Sequence, residues 1–446
     1  MWSVVLVTAG LVAAPMNLAH GEQKTEGWTL QRLAAAALAQ NPGLAAARTN
    51  IAATNEDINA ARGGFLPKVD AVSKLELFPN RSRLLIERHG FRRDDNPFET
   101  AIINYGLEVR MPLYTSGRLE QNVTLAEAKS KAADAARSGT RGQLLFNIAS
   151  GYYTALRLQK VIKAQRAILR SLRESFRVGQ LQTSVGRIAS LDLLRLRTRL
   201  SQARRDLTVA QVDFDRTLEF LKALINLPVD RTLTIAGELV PGRYMDRPQE
   251  LRRYLLSNRP DIARLRHLIG AQEAAVKVAE SALGPKLDLR ARYRGATGFD
   301  DSITKDAAEI FFEFRVPLYS GGVLRARTRK ETARLRVLKF RLSDLERRAL
   351  SELERALLTL RASDPRIKAA RQAQRQAGET LRVERQRFAE GRGTSNDLLL
   401  AIDSVLRART QLAAALSGRR IAIAALNLAV GQNPIAEDTL VRRSPQ

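Results

Sequence analysis

The chain repeats itself, and the repeat limits what it can fold into. Pro67-Lys68-Val69-Asp70 returns 218 positions later (67 to 285) as Pro285-Lys286-Leu287-Asp288, and Asn41-Pro42 is matched by Arg259-Pro260 at the same spacing. Met111-Pro112-Leu113-Tyr114 recurs as Val316-Pro317-Leu318-Tyr319 with an offset of 205 (112 to 317). The same offset relates Glu108 and Arg110 to Glu313 and Arg315, and Asp192-Leu193-Leu194 to Asp397-Leu398-Leu399. The offset changes once, by 13 residues (218 to 205), as a single loop-length difference requires. Several matches in constant register mean two copies of one unit, 28–228 and 248–434, with a linker 229–247 between them and a tail 435–446.

Each unit follows one plan. A short helix ends at Asn-Pro or Arg-Pro, because proline cannot continue it, and a second helix follows over Gly43–Arg62 and Asp261–Leu283. The period then changes to two. Val69, Ala71, Ser73, Leu75 and Leu77 alternate with Asp70, Val72, Lys74 and Glu76, while Leu287, Leu289, Ala291 and Tyr293 alternate with Asp288, Arg290, Arg292 and Arg294. Strands are expected at about 68–78, 101–113, 286–295 and 307–318, each with one apolar and one largely charged face. These lengths suit tilted strands that cross a bilayer; a soluble sandwich is the alternative, but its strands are usually about 5–6 residues. Four strands close no barrel and lipid tolerates no open edge, so a membrane sheet must be shared between chains. Three chains would supply about twelve strands, an even number with room for a polar lumen.

After each second proline motif the sequence turns helical for about 60–70 residues, a rod on the order of 100 Å. The breaks are few, Asp364-Pro365 being the main one. The returning segments carry apolar ladders, Leu193-Leu196-Leu200-Ala203-Leu207-Ala210 and Leu398-Ala401-Val405-Ala408-Leu412-Ala415. Their alternating steps of three and four are the seam of a left-handed coiled coil.

Composition removes most other classes. There is no cysteine, so disulfides, zinc–thiolate sites, cysteine nucleophiles and a lipidated cysteine are excluded. His20, His89 and His267 lie far apart, which leaves little for metal or general-base chemistry. The net charge of +27 suits nucleic acid or a phosphate-rich membrane surface. Residues 1–21, uncharged and apolar before Ala19-His20-Gly21, read as a secretory signal peptide and favour the membrane. That segment lacks the usual basic start. No zinc motif, phosphate loop or aromatic stacking motif supports a nucleic-acid binder.

With these features in place, the sequence resembles the TolC family of trimeric outer-membrane efflux proteins, over about Leu30 to Pro434. The resemblance rests on the duplication and on Leu66-Pro67 and Gly284-Pro285 before the first strands. It rests also on Pro112-Leu113-Tyr114 with Ser116-Gly117, Pro317-Leu318-Tyr319-Ser320-Gly321-Gly322, Arg259-Pro260-Asp261-Ile262, and Phe388-Ala389-Glu390-Gly391 before Asp397. It implies a mixed, mainly α fold of long coiled-coil hairpins and two transmembrane β-hairpins. Three chains would build a twelve-stranded barrel in outer-membrane lipid over a periplasmic helical tunnel. Such a homotrimer works with a periplasmic adaptor and an inner-membrane transporter, and needs no cofactor or catalytic residue.

Residue by residue, the resemblance makes Asp397 and Asp192 candidates for an acidic constriction, although helix N-capping explains an aspartate after a turn equally well. Phe388 takes the place of a gate tyrosine, and Leu400 stands where a second acidic ring is sometimes found. Gly391 and Gly186 are the matched tip glycines, with Gly179 the competing choice in copy one. Glu108, Arg110, Glu313, Arg315, Arg290 and Arg292 are expected in the barrel lumen. Arg195, Arg197, Arg199, Arg204 and Arg205 read as a solvated helix face. Arg81, Arg83, Arg88, Arg92 and Arg93 occupy the longer loop between strands, where lipopolysaccharide phosphates are a candidate ligand. The rival function is a periplasmic coiled-coil adaptor, which should have one hairpin flanked by β-domains.

Overall fold

Proline placement and hydrophobic period set the element boundaries. The structure is a computed structural model that describes residues 27–83, 98–244, 247–299 and 304–436. The signal-peptide segment, Arg88, Arg92 and Arg93 lie outside these residues, whereas Arg81 and Arg83 belong to the distal end of the first strand.

Copy one consists of α1 (Leu30–Gln40), α2 (Pro42–Gly63), β1 (Lys68–Arg83), β2 (Phe98–Tyr114), α3 (Arg118–Ser184) and α4 (Ser190–Leu224). Copy two consists of α5 (Pro248–Asn258), α6 (Pro260–Ser281), β3 (Lys286–Gly298), β4 (Thr304–Arg315), α7 (Val323–Arg361), α8 (Ser363–Ala389) and α9 (Ser395–Val430). Thr29 caps α1 and Asn41 caps α2, where Pro42 fills the first turn at no hydrogen-bond cost. Pro260 does the same in α6. α3 runs unbroken for 67 residues, about 100 Å. Its counterpart breaks at Ala362, because Pro365 denies Arg361 a hydrogen-bond donor.

The four strands form one antiparallel sheet in the order β1-β2-β3-β4, so the two hairpins join through β2 and β3. β2, held on both sides, stays in register through Pro112 and reaches Tyr114 with a bulge. β4 is an edge strand and stops at Arg315, short of the expected end at 318, since Pro317 has no N–H for its single neighbour. β1 and β2 extend past the expected ends at 78 and 101.

Three buried clusters hold the rod together along its length. Leu33, Ile148, Leu221 and Ile225 pack with Ile235 of the linker, which is no loose tether: Trp28 pairs with Ile235 as a short bridge. Leu251, Leu353, Leu357 and Leu426 form the second cluster. Near the far end, Ile168, Leu172, Leu196, Leu398, Ile402 and Val405 form the third. Most positions of the expected seams are buried: Leu196, Leu200, Ala203 and Ala210 of α4 and Leu398, Ala401, Val405 and Ala408 of α9, with Leu196, Leu200, Ala203, Leu398 and Val405 in the third cluster. α9 alone among the described helices is long and apolar enough to cross a membrane, and half of that stretch is buried within the chain.

Candidate functional site

The sheet separates charge from apolar surface by strand period alone. In register, Asp70, Glu108, Arg292 and Glu309 form one row across the four strands, and Lys68, Arg110, Arg290 and Phe311 form the next. Glu108 sits at the centre of this face. It receives Arg110 at 3.3 Å, Arg292 at 3.5 Å and Arg290 at 3.7 Å. Arg290 also reaches Glu313 at 2.6 Å, Arg294 reaches Glu309 at 2.9 Å, and Arg315 pairs with Glu313. All six expected lumen residues therefore share one network, to which Arg294 and Glu309 also belong. Val72, Glu76, Asn104, Glu108, Arg292 and Arg294 line its concave side. The opposite face is mostly apolar and exposed: Val69 is 64% exposed, Ile310 75% and Phe312 68%. Leu66, Tyr114, Leu318 and Tyr319 continue it as an exposed rim where the sheet meets the helices.

The far end of the rod is built from two matched turns. Gly186 and Gly391 have φ of 74° and 75°. Gly186 donates to the Thr183 carbonyl and Arg187 to that of Gln182, while Gly391 donates to Phe388 and Arg392 to Arg387. These bonds keep the 205-residue offset, so Gly186 is the structural counterpart of Gly391. Gly179 is not a tip residue. It lies within α3, where an added Cβ would stand 3.0 Å from Leu196, so close helix approach explains it.

Phe388 does not line an opening in the chain. Its ring is 2% exposed, packed in the third cluster, and Gln182 donates to its carbonyl at 2.8 Å. The apolar surroundings of Leu172, Leu196 and Leu398 bury this gate candidate within the chain. The aspartates also differ. Asp192 accepts from Ser395 across the two hairpins at 2.5 Å and lies 3.4 Å from Arg195. Asp397 is exposed, and Thr394, the N-cap of α9, both accepts from its N–H and donates to its carboxylate at 2.7 Å. Neither aspartate is itself the N-cap, which is Ala189 or Thr394. Leu400 projects beside Asp397, 54% exposed. Arg199 departs from the solvated face expected of it: its side chain is 15% exposed, and its guanidinium meets Asp403 of α9 at 2.5 Å. Its helical period does not distinguish it from Arg195 or Arg197, so only the crossing of α4 and α9 reveals the pair.

Comparison with known proteins agrees with this architecture. The family model described as outer membrane efflux protein matches residues 33–227 and 251–432. The chain is 24% identical over 330 residues to nodulation protein T of Rhizobium leguminosarum bv. trifolii, covering 72% of the chain and 70% of the relative. It is 25% identical over 395 residues to the pyoverdine export outer membrane protein OpmQ of Pseudomonas aeruginosa, covering 88% and 81%. Among solved structures, the outer-membrane channel OprN superposes with a TM-score of 0.76 at 21% identity, over 91% of this chain and 90% of that one. The family match spans both copies of the duplicated unit, and the chain belongs to the outer membrane efflux protein family.

Proposed function

We propose that three copies of this chain form an outer-membrane exit duct, a barrel of twelve strands continued by a helical tunnel toward the periplasm. The carrying observation is the sheet: one face apolar and exposed, the other a concave ion-pair network, with β1 and β4 as open edges. A membrane leaves no edge unpaired, and β4 of one copy runs antiparallel to β1 of the next, so closure by identical copies preserves the pattern. The adaptor alternative required one hairpin between β-domains and does not fit two hairpins joined through one sheet.

In this reading the rod ends at a closed aperture on the periplasmic side. Asp397 and Leu400, exposed on neighbouring turns of α9, face it, and a ring of three Asp397 carboxylates attracts cations. Asp192, held by Ser395, ties the two hairpins together at the same level. The turns at Gly186 and Gly391 present the end surface to a periplasmic adaptor, behind which an inner-membrane transporter supplies energy. The duct itself performs no catalysis. Conductance of the purified protein in planar bilayers tests this: small cation-selective openings that lose selectivity in Asp397→Ala are expected. Absence of a heat-modifiable oligomer on gels would refute the barrel.

A further inference from the structure

The first turns of α7 carry a charge that neither the lumen nor the tip uses. From Val323 to Arg341 the helix has eight Lys or Arg and one acid, Glu331. Glu331 takes Arg334 at 2.8 Å, and Lys339 reaches Glu273 at 3.4 Å. Among the described residues no carboxylate lies within ion-pair reach of Arg325, Arg327, Arg329 or Arg336. The duplication provides an internal control. The equivalents of Arg325, Arg327 and Arg329, 205 positions earlier, are Glu120, Asn122 and Thr124. α3 nonetheless starts as α7 does, after a glycine at φ 82° against 80°. The fold therefore does not need these arginines.

Their height and direction suggest a ligand. Leu318 and Tyr319, 93% and 90% exposed, end the apolar face, and α7 begins four residues later. Exposed tyrosine at the end of an apolar band marks the membrane–water interface. At 1.5 Å per residue, Arg325 and Arg329 lie within about 10 Å of the helix start, a distance that arginine side chains span to a headgroup layer some 5–8 Å thick. Half-buried Leu324, Thr328, Leu335 and Leu338 mark the side that meets α6. The helical rotation then leaves Arg325, Arg329 and Arg336 on one flank and Arg327, Lys330 and Arg341 on the other. The first flank borders an open groove of about 550 Å³ whose wall includes Leu283.

We propose that Arg325 and Arg329 form a binding site for the phosphodiester headgroups of anionic phospholipid in the periplasm-facing leaflet, with an acyl chain lying against Leu283 and the exposed rim. The site rests on the barrel reading above and names the lipid that the barrel selects. Three copies would place a basic collar around the base of the sheet, where basic residues next to a membrane attract anionic headgroups.

The test uses full-length oligomer titrated in neutral detergent with short-chain phosphatidylglycerol or phosphatidylcholine, with bound lipid counted by native mass spectrometry. Wild type should prefer phosphatidylglycerol. Arg325→Gln/Arg329→Gln should lose roughly fivefold per arginine, on the order of 25-fold together. Arg327→Gln/Arg341→Gln, on the other flank, should retain the preference. Unchanged preference in the first variant overturns the proposal, and so does competition by inorganic phosphate, which would mean a site for soluble anions. Insertion of every variant into phosphatidylcholine vesicles as a heat-modifiable oligomer tests the barrel separately. Failure of wild type there refutes the barrel, whereas insertion without lipid preference refutes only the site.

Discussion

Cutting the ion pair between Arg199 and Asp403 should loosen the periplasmic end. Arg199 donates through Nε at 2.9 Å and Nη2 at 2.5 Å to one carboxylate oxygen of Asp403, and Asp206 stands 3.7 Å away. Hydrogen bonds to charged groups contribute about 1.5–3 kcal/mol, but exposed ion pairs only about 0.2–1 kcal/mol. With side-chain exposures of 15% and 36%, the pair falls between, at about 1–2 kcal/mol per chain. That is about a 5- to 30-fold shift in the closed-to-open ratio of one chain, or about 10²–10⁴ if three chains open together. Asp403→Ala leaves Arg199 with Asp206 as a distant substitute, so Arg199→Ala should open the channel more. Single-channel recording gives the open probability. A double-mutant cycle on the two alanine variants gives the coupling. Additive variants, with coupling below about 0.3 kcal/mol, would refute the latch.

Four further outcomes follow from the same geometry. Phe388→Ala should cost about 3–5 kcal/mol by emptying a buried site and should speed proteolysis at the adjacent turn, without changing the heat-modifiable behaviour of the barrel. Gly186→Ala and Gly391→Ala should each lower stability by about 1–2 kcal/mol because of positive φ, seen as a lower Tm. Gly179→Ala should act by contact with Leu196 and be relieved by Leu196→Val. The Glu331 carboxyl is held below the usual carboxylate range, first by the Gln272 amide and then by Arg334. A lowered folded-state pKa stabilises above the unfolded value and is lost as pH falls toward the folded one. Glu331→Gln should therefore flatten the acid side of the stability–pH profile, measured by thermal melts below neutral pH.

The legible and illegible parts of the site divide by distance along the chain. Arg290, Arg292 and Glu108 were readable as one charged face because strand alternation is local and the pleat enforces it. Asp397 was readable as a residue six positions past a turn glycine, but its helix position was not: Thr394 takes the cap and leaves the carboxylate outside. The burial of Phe388 was not legible, because an aromatic beside a turn has the same sequence signature whether it faces water or a neighbouring helix. Gly179 was a competing tip glycine for a similar reason, since a helix contact and a turn both select glycine.

Sequence alone determined the duplication, the alternation of the strands and the proline-set boundaries, and it carries the expectation of partner chains. Each follows from period, from φ restriction or from hydrogen-bond accounting, which act within a few residues or by simple counting. Tertiary structure decided what lies between elements far apart in the chain. Arg199 meets Asp403, Ser395 meets Asp192, and Gln182 meets the carbonyl of Phe388, all about two hundred residues away. A helix face specifies which residues point outward together. Only the crossing of two helices selects the partner each one meets, because that choice depends on packing angle and axial register summed over the whole rod.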